Sequence, residues 1–324
     1  SFNQKSCFSF YLQNSNTKIV SLIRDMKREY KFIGKGLHSG LAVTMVLKPA
    51  PANTGIKFHR IDLGEDAYIE ALVDYVTYTQ RSTMLEHNNV KIQTLEHLMA
   101  TFYALGVDNA IVEIDNFEVP ILDGSALPYV AAIAPDGLEE QDAPRKYYDL
   151  KETISYTNEE TGSSITLTPA DKFSVDVTID FNSKVLGVQK ASFDENTDFI
   201  KEIAPCRTFV FFHELEFLFK NNLIKGGDLE NAVVIVENAV PDEELSRMAS
   251  LFNVEKIERR PEGYLDNVKL HFENECARHK LLDVLGDFSL MGIRVNAKVE
   301  AVKSGHRINT QVAKLVREQM ILNS

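Results

Sequence analysis

The stretch Arg278-His279-Lys280-Leu281-Leu282-Asp283-Val284-Leu285-Gly286-Asp287 decides the fold, because it predicts a buried helix with one polar stripe. In a helix, His279, Asp283 and Asp287 follow one another at intervals of four residues and project from one face. Gly286 lies on that face too and leaves room beside the side chains. Leucine and valine cover the rest of the circumference, so the stripe is buried and its polar groups need partners.

Two interpretations of the stripe are open from this stretch alone. A neutral imidazole and a carboxylate one turn apart, here His279 and Asp283, suit a pair of zinc ligands. The alternative is a hydrogen bond between the two side chains within the helix. The other motifs of the chain favour the metal site.

A second cluster, Thr94-Leu95-Glu96-His97, begins a predicted helix over residues 93–105, with Thr94 as its N-cap and Gly106 beyond its end. Adjacent helical residues face different ways, so the two side chains suit different tasks. His97 is a candidate metal ligand and Glu96 a candidate general base beside it. The alternative is an acidic residue stabilised by the helix dipole, with an exposed histidine.

A third cluster, Lys303-Ser304-Gly305-His306, follows a predicted strand over residues 293–302. His306 is a candidate general acid whose ring Asp287 could hold and keep protonated. Lys303 and Ser304 could bind an anionic group of a substrate. A plain surface turn is the alternative.

Three further motifs carry weaker signals. Residues 34–40, GKGLHSG, suggest a phosphate-binding loop but match neither of the common glycine patterns. Residues 120–125, PILDGS, favour a structural turn. In residues 206–209, CRTF, the hydroxyl of Thr208 could donate to a developing oxyanion.

Composition narrows the class of protein. The 324 residues suffice for two domains, and the net charge of −12 argues against nucleic acid as a partner. The three cysteines show no CxxC spacing, which indicates a reducing compartment. The sequence contains no signal peptide and no apolar run approaching the ~20 residues of a membrane span. We therefore expect a cytoplasmic protein, a monomer, that contacts the membrane surface at most transiently.

The pattern along the chain is α+β. Strands are predicted over residues 42–48, 55–61, 67–73 and 109–114 in the first half, and over 147–155, 164–169, 173–180, 231–236 and 293–302 in the second. Helices are predicted over residues 127–134, 241–252 and 274–291 besides the one at 93–105, and a helix or helical turn is predicted over 209–222. The charged, proline-containing residues 139–146 are the predicted domain boundary. Each half combines several strands with two helices, which suggests a structural duplication.

Together and in this order, the motifs closely resemble one family, the zinc-dependent UDP-3-O-acyl-N-acetylglucosamine deacetylases of lipid A biosynthesis. The resemblance covers residues 30 to about 316 and rests on GKGLHSG (34–40), TLEH (94–97), PILDGSA (120–126), CRTF (206–209), KGGDLENAVV (225–234), ARHKLLDVLGD (277–287) and KSGH (303–306). CRTFVF and NECARHKLLD are most similar to the Bacteroidetes branch, where a dehydratase is often fused downstream. This chain stops at Ser324, so we expect that second enzyme to be absent from it.

The resemblance implies a role for each matching position. The implied activity is hydrolysis of the N-acetyl group of a UDP-linked acylated amino sugar, with release of acetate, on Zn²⁺ or, in cells, Fe²⁺. The implied metal ligands are His97, His279 and Asp283; the implied catalytic residues are Glu96 as base, His306 as acid, Asp287 as its support and Thr208 at the oxyanion; and the implied substrate contacts are Lys280, Phe209, Lys303, Ser304, Phe181 and Leu215.

The family's fold implies two α+β domains, each a sheet with two helices, packed as a β-α-α-β sandwich with the active site between them. We expect domain I over residues 30–143 and domain II over 144–324, with an apolar insert at about 209–228 that accepts the acyl chain. The sequence does not predict the structure of residues 1–29.

Asp228 and Arg307 also depart from the family's pattern, since a serine and small or apolar residues are usual at these places. The other functions considered are a zinc amidohydrolase acting on another acetylated sugar nucleotide and a catalytically silent scaffold.

Overall fold

The computed structural model describes residues 21–324. The first half contains strands β1 (Leu22–Met26), β2 (Tyr30–Lys35), β3 (Ala42–Lys48), β4 (Ile56–Arg60), β5 (Tyr68–Glu70), β6 (Val76–Tyr78), β7 (Met84–His87), β8 (Val90–Gln93), β9 (Ala110–Ile114) and β10 (Leu138–Pro144) with helices α1 (Glu96–Leu105) and α2 (Leu127–Ile133). Short 3₁₀ turns span Val73–Tyr75 and Ala134–Asp136.

The second half contains strands β11 (Tyr147–Asp149), β12 (Ile154–Asn158), β13 (Ser163–Pro169), β14 (Ser174–Asp180), β15 (Val188–Phe193), β16 (Phe209–Phe211), β17 (Val233–Ile235) and β18 (Arg294–Val302). Its helices are α3 (Phe199–Glu202), α4 (Phe212–Lys220), α5 (Asp242–Leu251), α6 (Glu275–Ser289) and α7 (His306–Leu322).

The main sheets of the two halves have the same topology. The first has the order β2-β3-β9-β4-β5 and the second β12-β13-β18-β14-β15, with β11 added beside β18. In each sheet the third strand pairs antiparallel with the second and parallel with the fourth. In each half that third strand follows the helix that faces the other half, α1 or α6. The duplication suggested by the sequence is therefore confirmed in the fold.

Helices α1, α2, α6 and α7 lie between the two sheets. α6 packs on β14 and β15, α7 packs on β12 and β13, α2 packs on α1, and α1 meets α6 at the centre. One apolar core runs through all these layers and includes large, fully buried side chains such as Phe58, Met45 and Phe102. The predicted α+β fold with its β-α-α-β arrangement is confirmed.

Two local predictions were wrong at the ends of elements. Thr94 is not the N-cap of α1; Leu95 holds that position, and Thr94 has a φ of 58° and donates its hydroxyl to Glu118. Residues 209–222 are not one helix, because Phe209–Phe211 extend as β16 beside β17 before α4 begins. Gly106 ends α1 with a φ of 88°, as predicted.

The predicted boundary stretch proves to be a strand. β10 covers most of residues 139–146 and pairs antiparallel with β1, whose Met26 lies opposite Leu138. The end of the 1–29 segment is thus tied to the first half, while residues 1–20 lie outside the described residues. The chain crosses to the second half between β10 and β11, and the exact domain limits of 30–143 and 144–324 stay a prediction.

The insert forms a small unit of its own. Its core is a separate apolar cluster in which Leu215 and Leu218 of α4 pack with Leu245 and Met248 of α5. Over residues 21–324, none of the helices is both long and apolar enough to cross a bilayer.

Candidate active site

The candidate site lies where α1 crosses α6. A Cβ atom built on Gly286 would stand 2.1 Å from the carbonyl oxygen of Glu96, so only glycine permits this approach of the two backbones. Because α1 begins at Glu96, the crossing lays Glu96 and His97 over the polar stripe of α6. Gly286, although it belongs to the polar stripe of α6, therefore allows the backbone of α1 to approach closely.

His97, His279 and Asp283 converge into one buried group. One ligand atom from each lies within 4.8 Å of the others. Oδ1 of Asp283 is 3.5 Å from Nε2 of His279 and 3.7 Å from Nε2 of His97. The helical spacing of α6 supplies two of these side chains and the first turn of α1 supplies the third.

The chemistry of this group fits a cation. Nδ1–H of His279 donates to the carbonyl oxygen of Cys206 over 2.9 Å, which leaves a lone pair at Nε2 inside the group. Oδ1 of Asp283 is buried and has no hydrogen-bond partner among the described residues. Burial and the neighbouring His279 lower the pKa of His97 to about 3, and burial also lowers the pKa of His279. Two neutral imidazoles and a carboxylate form a donor set that suits zinc.

Glu96 and His306 form a carboxylate–imidazole pair beside this group. Nε2 of His306 lies 3.5 Å from Oε1 of Glu96, and both side chains are buried. Burial raises the pKa of Glu96 to about 8, and the charge on His306 opposes that rise. Burial would lower the pKa of His306, but Asp287 and Glu96 outweigh it and raise this pKa to about 10. These two carboxylates therefore favour the protonated form of His306.

Asp287 holds the ring of His306 from behind. The carboxylate is 0% exposed and accepts a hydrogen bond from Nδ1–H of His306 over 2.8 Å. The hydroxyl of Thr83 donates to its other oxygen, Oδ1, over 2.6 Å. The side-chain amide of Asn309 donates over 2.9 Å to Oδ2, the same oxygen that accepts from His306. The proton on Nδ1 is thereby fixed, so Nε2 faces Glu96.

His306 is the first residue of α7 rather than part of a loop. Gly305 precedes it as the N-cap in an extended conformation. This helix was not predicted from the sequence, although Asn309, Thr310 and Val312 lie on its buried side. Thr83 and Asn309 were also missed as site residues, because an isolated threonine or asparagine carries no motif.

A cavity of about 410 Å³ opens from the site towards the insert. Of the residues predicted to act in the site, those that line the cavity are Glu96, His97, Phe181, Thr208, Phe209, Leu215, His279, Lys280, Asp283 and His306. Asp287 lies behind His306 and does not line it. The departures Asp228 and Arg307 line it as well, and Asp228 pairs with Lys35 at 3.1 Å.

Lys303 and Ser304 do not line this cavity. Nζ of Lys303 lies 3.4 Å from Oδ2 of Asp180 at the end of β14, and the Ser304 hydroxyl is buried without a hydrogen-bond partner among the described residues. Their predicted contact with a substrate would therefore require a ligand that extends beyond the cavity.

Aromatic rings form the wall beside the metal-site histidines. The ring of Phe209 meets those of His279 at 6.5 Å and Phe181 at 5.5 Å, both edge to face. Nζ of Lys280 stands 5.7 Å above the ring of Phe209 and 3.5 Å from Oδ2 of Asp283. A cation, an apolar wall and the candidate metal group thus lie side by side.

The GKGLHSG loop is not free to bind phosphate through its amides. The backbone N–H groups of His38 and Ser39 donate to the carboxylate of Glu118 over 2.9 and 2.7 Å. The loop also seats against the KGG segment, where the N–H of Gly226 donates to the carbonyl of Leu37 over 2.9 Å. The phosphate-loop interpretation was wrong, and Glu118, which holds the loop in place, was missed.

The PILDGSA turn positions Thr208. The carbonyl of Gly124 accepts a hydrogen bond from the Thr208 N–H over 2.8 Å. Gly124 has a φ of 81°, and a Cβ atom here would lie 2.0 Å from the carbonyl oxygen of Asn231. The structural interpretation of this motif is confirmed.

Residues 24–257 and 256–318 match the family model described as "LpxC: UDP-3-O-acyl N-acetylglycosamine deacetylase". The UDP-3-O-acyl-N-acetylglucosamine deacetylase of Pseudomonas entomophila is 40% identical over 299 residues, which are 91% of this chain and 90% of that protein. The protein of the same name from Myxococcus xanthus is 39% identical over 313 residues, 96% of this chain and 87% of that protein.

A longer relative is similar as well. The bifunctional enzyme LpxC/FabZ of Porphyromonas gingivalis is 44% identical over 298 residues, which are 92% of this chain. The matched region spans 64% of the length of that relative.

Proposed function

Because the chain belongs to the family of UDP-3-O-acyl N-acetylglycosamine deacetylases, we propose that it removes the N-acetyl group of UDP-3-O-(3-hydroxyacyl)-N-acetylglucosamine by hydrolysis. The reaction releases acetate and belongs to lipid A biosynthesis. One observation carries the proposal: the Glu96–His306 pair stands beside the His-His-Asp group at the mouth of an apolar cavity.

In this proposal His97, His279 and Asp283 hold Zn²⁺, which Fe²⁺ can replace in cells. When bound, the ion supplies Lewis-acid polarisation of the acetamide carbonyl and acidifies water. A positive charge at this place also favours the carboxylate form of Glu96, whose pKa burial raises.

Glu96 takes the role of general base. Its carboxylate accepts a proton from the attacking water, and the backbone N–H of Thr83, 3.3 Å from Oε2, orients it. Thr208 donates its hydroxyl to the oxygen that becomes negative as the carbonyl carbon turns tetrahedral.

His306 takes the role of general acid. An amine leaves an amide only when its nitrogen is protonated, and Nε2–H of the His306 imidazolium supplies that proton. Asp287 keeps the imidazole charged before the transfer, as the raised pKa of His306 indicates. Glu96 and His306 thus stand as base and acid on adjacent sides of the reacting amide.

Each of the remaining predicted contacts is assigned to one chemical part of the substrate. Lys280 and Phe209 adjoin the reacting sugar, Leu215 lines the path of the acyl chain, and Phe181 offers a ring to the uracil. Lys303 and Ser304 are assigned to the diphosphate, which extends beyond the cavity. We also place the protein in the cytoplasm, as a monomer, and the buried free thiols of Cys206 and Cys276 support a reducing compartment.

The experiment is acetate release from the acylated UDP sugar, compared with its analogue that lacks the acyl chain. Each substrate is tested with protein as purified, after chelation, and after zinc is added back. We expect release that requires both metal and acyl chain. Equal release from both substrates would indicate a broader zinc amidohydrolase, and stoichiometric zinc without any release would indicate a silent scaffold.

A further inference from the structure

We propose that Phe252, at the C-terminal end of α5, closes the far end of the apolar cavity and sets the longest acyl chain that the protein accepts. This inference rests on the proposed function and assigns a specificity-determining residue to it.

The cavity follows α4 away from the metal-site histidines. The near end is at Phe209 and Phe211, which precede α4 and line the cavity beside His279. Leu215 and Leu218, one turn apart on the same face of α4, continue the lining. The cavity therefore runs along this helix from its beginning towards its end.

Phe252 meets the cavity at the far end of α4. Its ring packs edge to face on Phe219, with 4.9 Å between centroids and 78° between planes. Phe219 lies about 10 Å along the helix axis from Phe212, at 1.5 Å per residue. Since Phe252 also lines the cavity, its ring stands where a chain that has passed Leu218 would end.

The position of the Phe252 ring is restricted because the backbone at this residue is fixed. Its N–H donates to the carbonyl of Met248 over 3.2 Å as α5 ends, and Asn253 then turns the chain with a φ of 55°. α5 itself is fixed to α4 by the ion pair between Arg247 and Glu216, with an N–O distance of 3.1 Å. Leu245 and Met248 add apolar contacts within the same buried cluster as Leu215. The ring is thus part of a packed unit.

If a fixed ring ends the apolar cavity, affinity should depend on the length of the acyl chain in a defined way. Each methylene group that enters the cavity raises affinity about fourfold. That gain stops at the chain length whose terminal methyl group reaches Phe252, because longer chains must bend or displace the ring.

The test measures kcat/KM for substrates with acyl chains from decanoyl to octadecanoyl. The wild type should show a break at one length. Phe252→Ala should move the break to longer chains and raise the ratio of long-chain to short-chain kcat/KM by about tenfold or more, while Phe252→Trp should move it to shorter chains. Phe217→Ala is the matched control, because this ring is 58% exposed on α4 and does not line the cavity.

Opposite shifts in the alanine and tryptophan variants cannot arise from loss of folding, which would reduce kcat/KM at all lengths together. The proposal is overturned if the break stays at the same length in all variants while the wild type is active. If the wild type hydrolyses none of these substrates, the proposed function fails instead. In that case, calorimetry measures the affinity of the same variants for free 3-hydroxy fatty acids of each length. A shift of the limiting chain length in the Phe252 variants supports the role of Phe252, and an unchanged limiting length overturns it.

Discussion

The hydroxyl of Thr83 donates a hydrogen bond to Oδ1 of Asp287 over 2.6 Å and so joins the two halves of the molecule behind the site. The backbone N–H of the same threonine donates to Glu96 over 3.3 Å. One residue therefore orients the proposed base directly and the proposed acid through Asp287. Thr83 is a positioning residue, since no reacting atom touches it.

Replacing Thr83 by valine keeps the shape and the backbone contact but removes the donor to Asp287. A hydrogen bond to a charged group contributes about 1.5–3 kcal/mol, so kcat should fall about 10- to 100-fold while KM changes little. Steady-state kinetics on the acylated substrate measure both constants.

The matched control for that variant is Thr83→Ser, which retains the hydroxyl and should recover most of the wild-type kcat. A serine variant as slow as the valine variant would show that packing of the threonine methyl group, and not its hydrogen bond, matters.

The pH profile of kcat/KM should be bell-shaped. Activity rises as Glu96 loses its proton and falls as His306 loses its own. Burial raises the pKa of Glu96 from 4.5 to about 8, and the carboxylates outweigh burial in raising the pKa of His306 from 6.5 to about 10. Both limbs should therefore lie on the alkaline side of the values of the free side chains, with a bound cation moving the first limb back towards acid.

Asp287→Asn acts mainly on the second limb. Loss of the negative charge removes the strongest influence that raises the pKa of His306, so the alkaline limb should move to lower pH. The acid limb should move less in the same direction, because Asp287 is only a lesser cause of the raised pKa of Glu96. An alkaline limb that does not move in this variant would exclude His306 as the group that causes it.

Two variants should distinguish the loss of proton transfer from the loss of metal binding. Glu96→Gln keeps the size of the side chain but cannot accept a proton, so turnover should drop about 10²- to 10⁴-fold with zinc retained. His279→Ala removes a ligand and should lose the metal. Elemental analysis beside the acetate assay distinguishes them, and full zinc occupancy in His279→Ala would contradict the ligand set. Glu195→Gln, on an exposed carboxylate far from the site motifs, serves as control.

Gly286→Ala should push α1 and α6 apart. The new methyl group would stand 2.1 Å from the Glu96 carbonyl oxygen, a backbone atom that cannot rotate away. We expect a loss of about 1–3 kcal/mol in the free energy of unfolding together with weaker zinc binding. Glu195→Gln, at an exposed carboxylate, is the control for thermal unfolding and zinc content.

The helix at the centre of the fold could be predicted because its information is local. The residues of α6 carry both the spacing that defines the stripe and the apolar residues that bury it, and the predicted range 274–291 contains the observed Glu275–Ser289. The convergence of His97 with His279 and Asp283 is not local. The resemblance to a family implied that convergence, whereas the residues by themselves left a simple His–Asp hydrogen bond open.

The parts that could not be predicted depend on contacts between distant segments. Glu118 lies on no motif, yet it binds the amides of His38 and Ser39, 80 and 79 residues away. Thr83 acts on Asp287 across 204 residues. Residues 139–146 resemble a linker in composition, but β1 supplies the hydrogen bonds that make β10 a strand. The composition of a segment does not show these roles, because each of them depends on a partner that is distant in the sequence.

The contact between Gly286 and the Glu96 backbone has a consequence for how the site meets its ion. Neither partner has a rotatable side chain at the point of contact, so the distance between the helices is set by the fold, before any ligand arrives. Little chain entropy remains to be lost when a cation binds. Small zinc domains differ, because they fold only when the metal binds. We therefore expect an ion to enter a cage that has already formed, and we expect its exchange to leave the rest of the molecule folded.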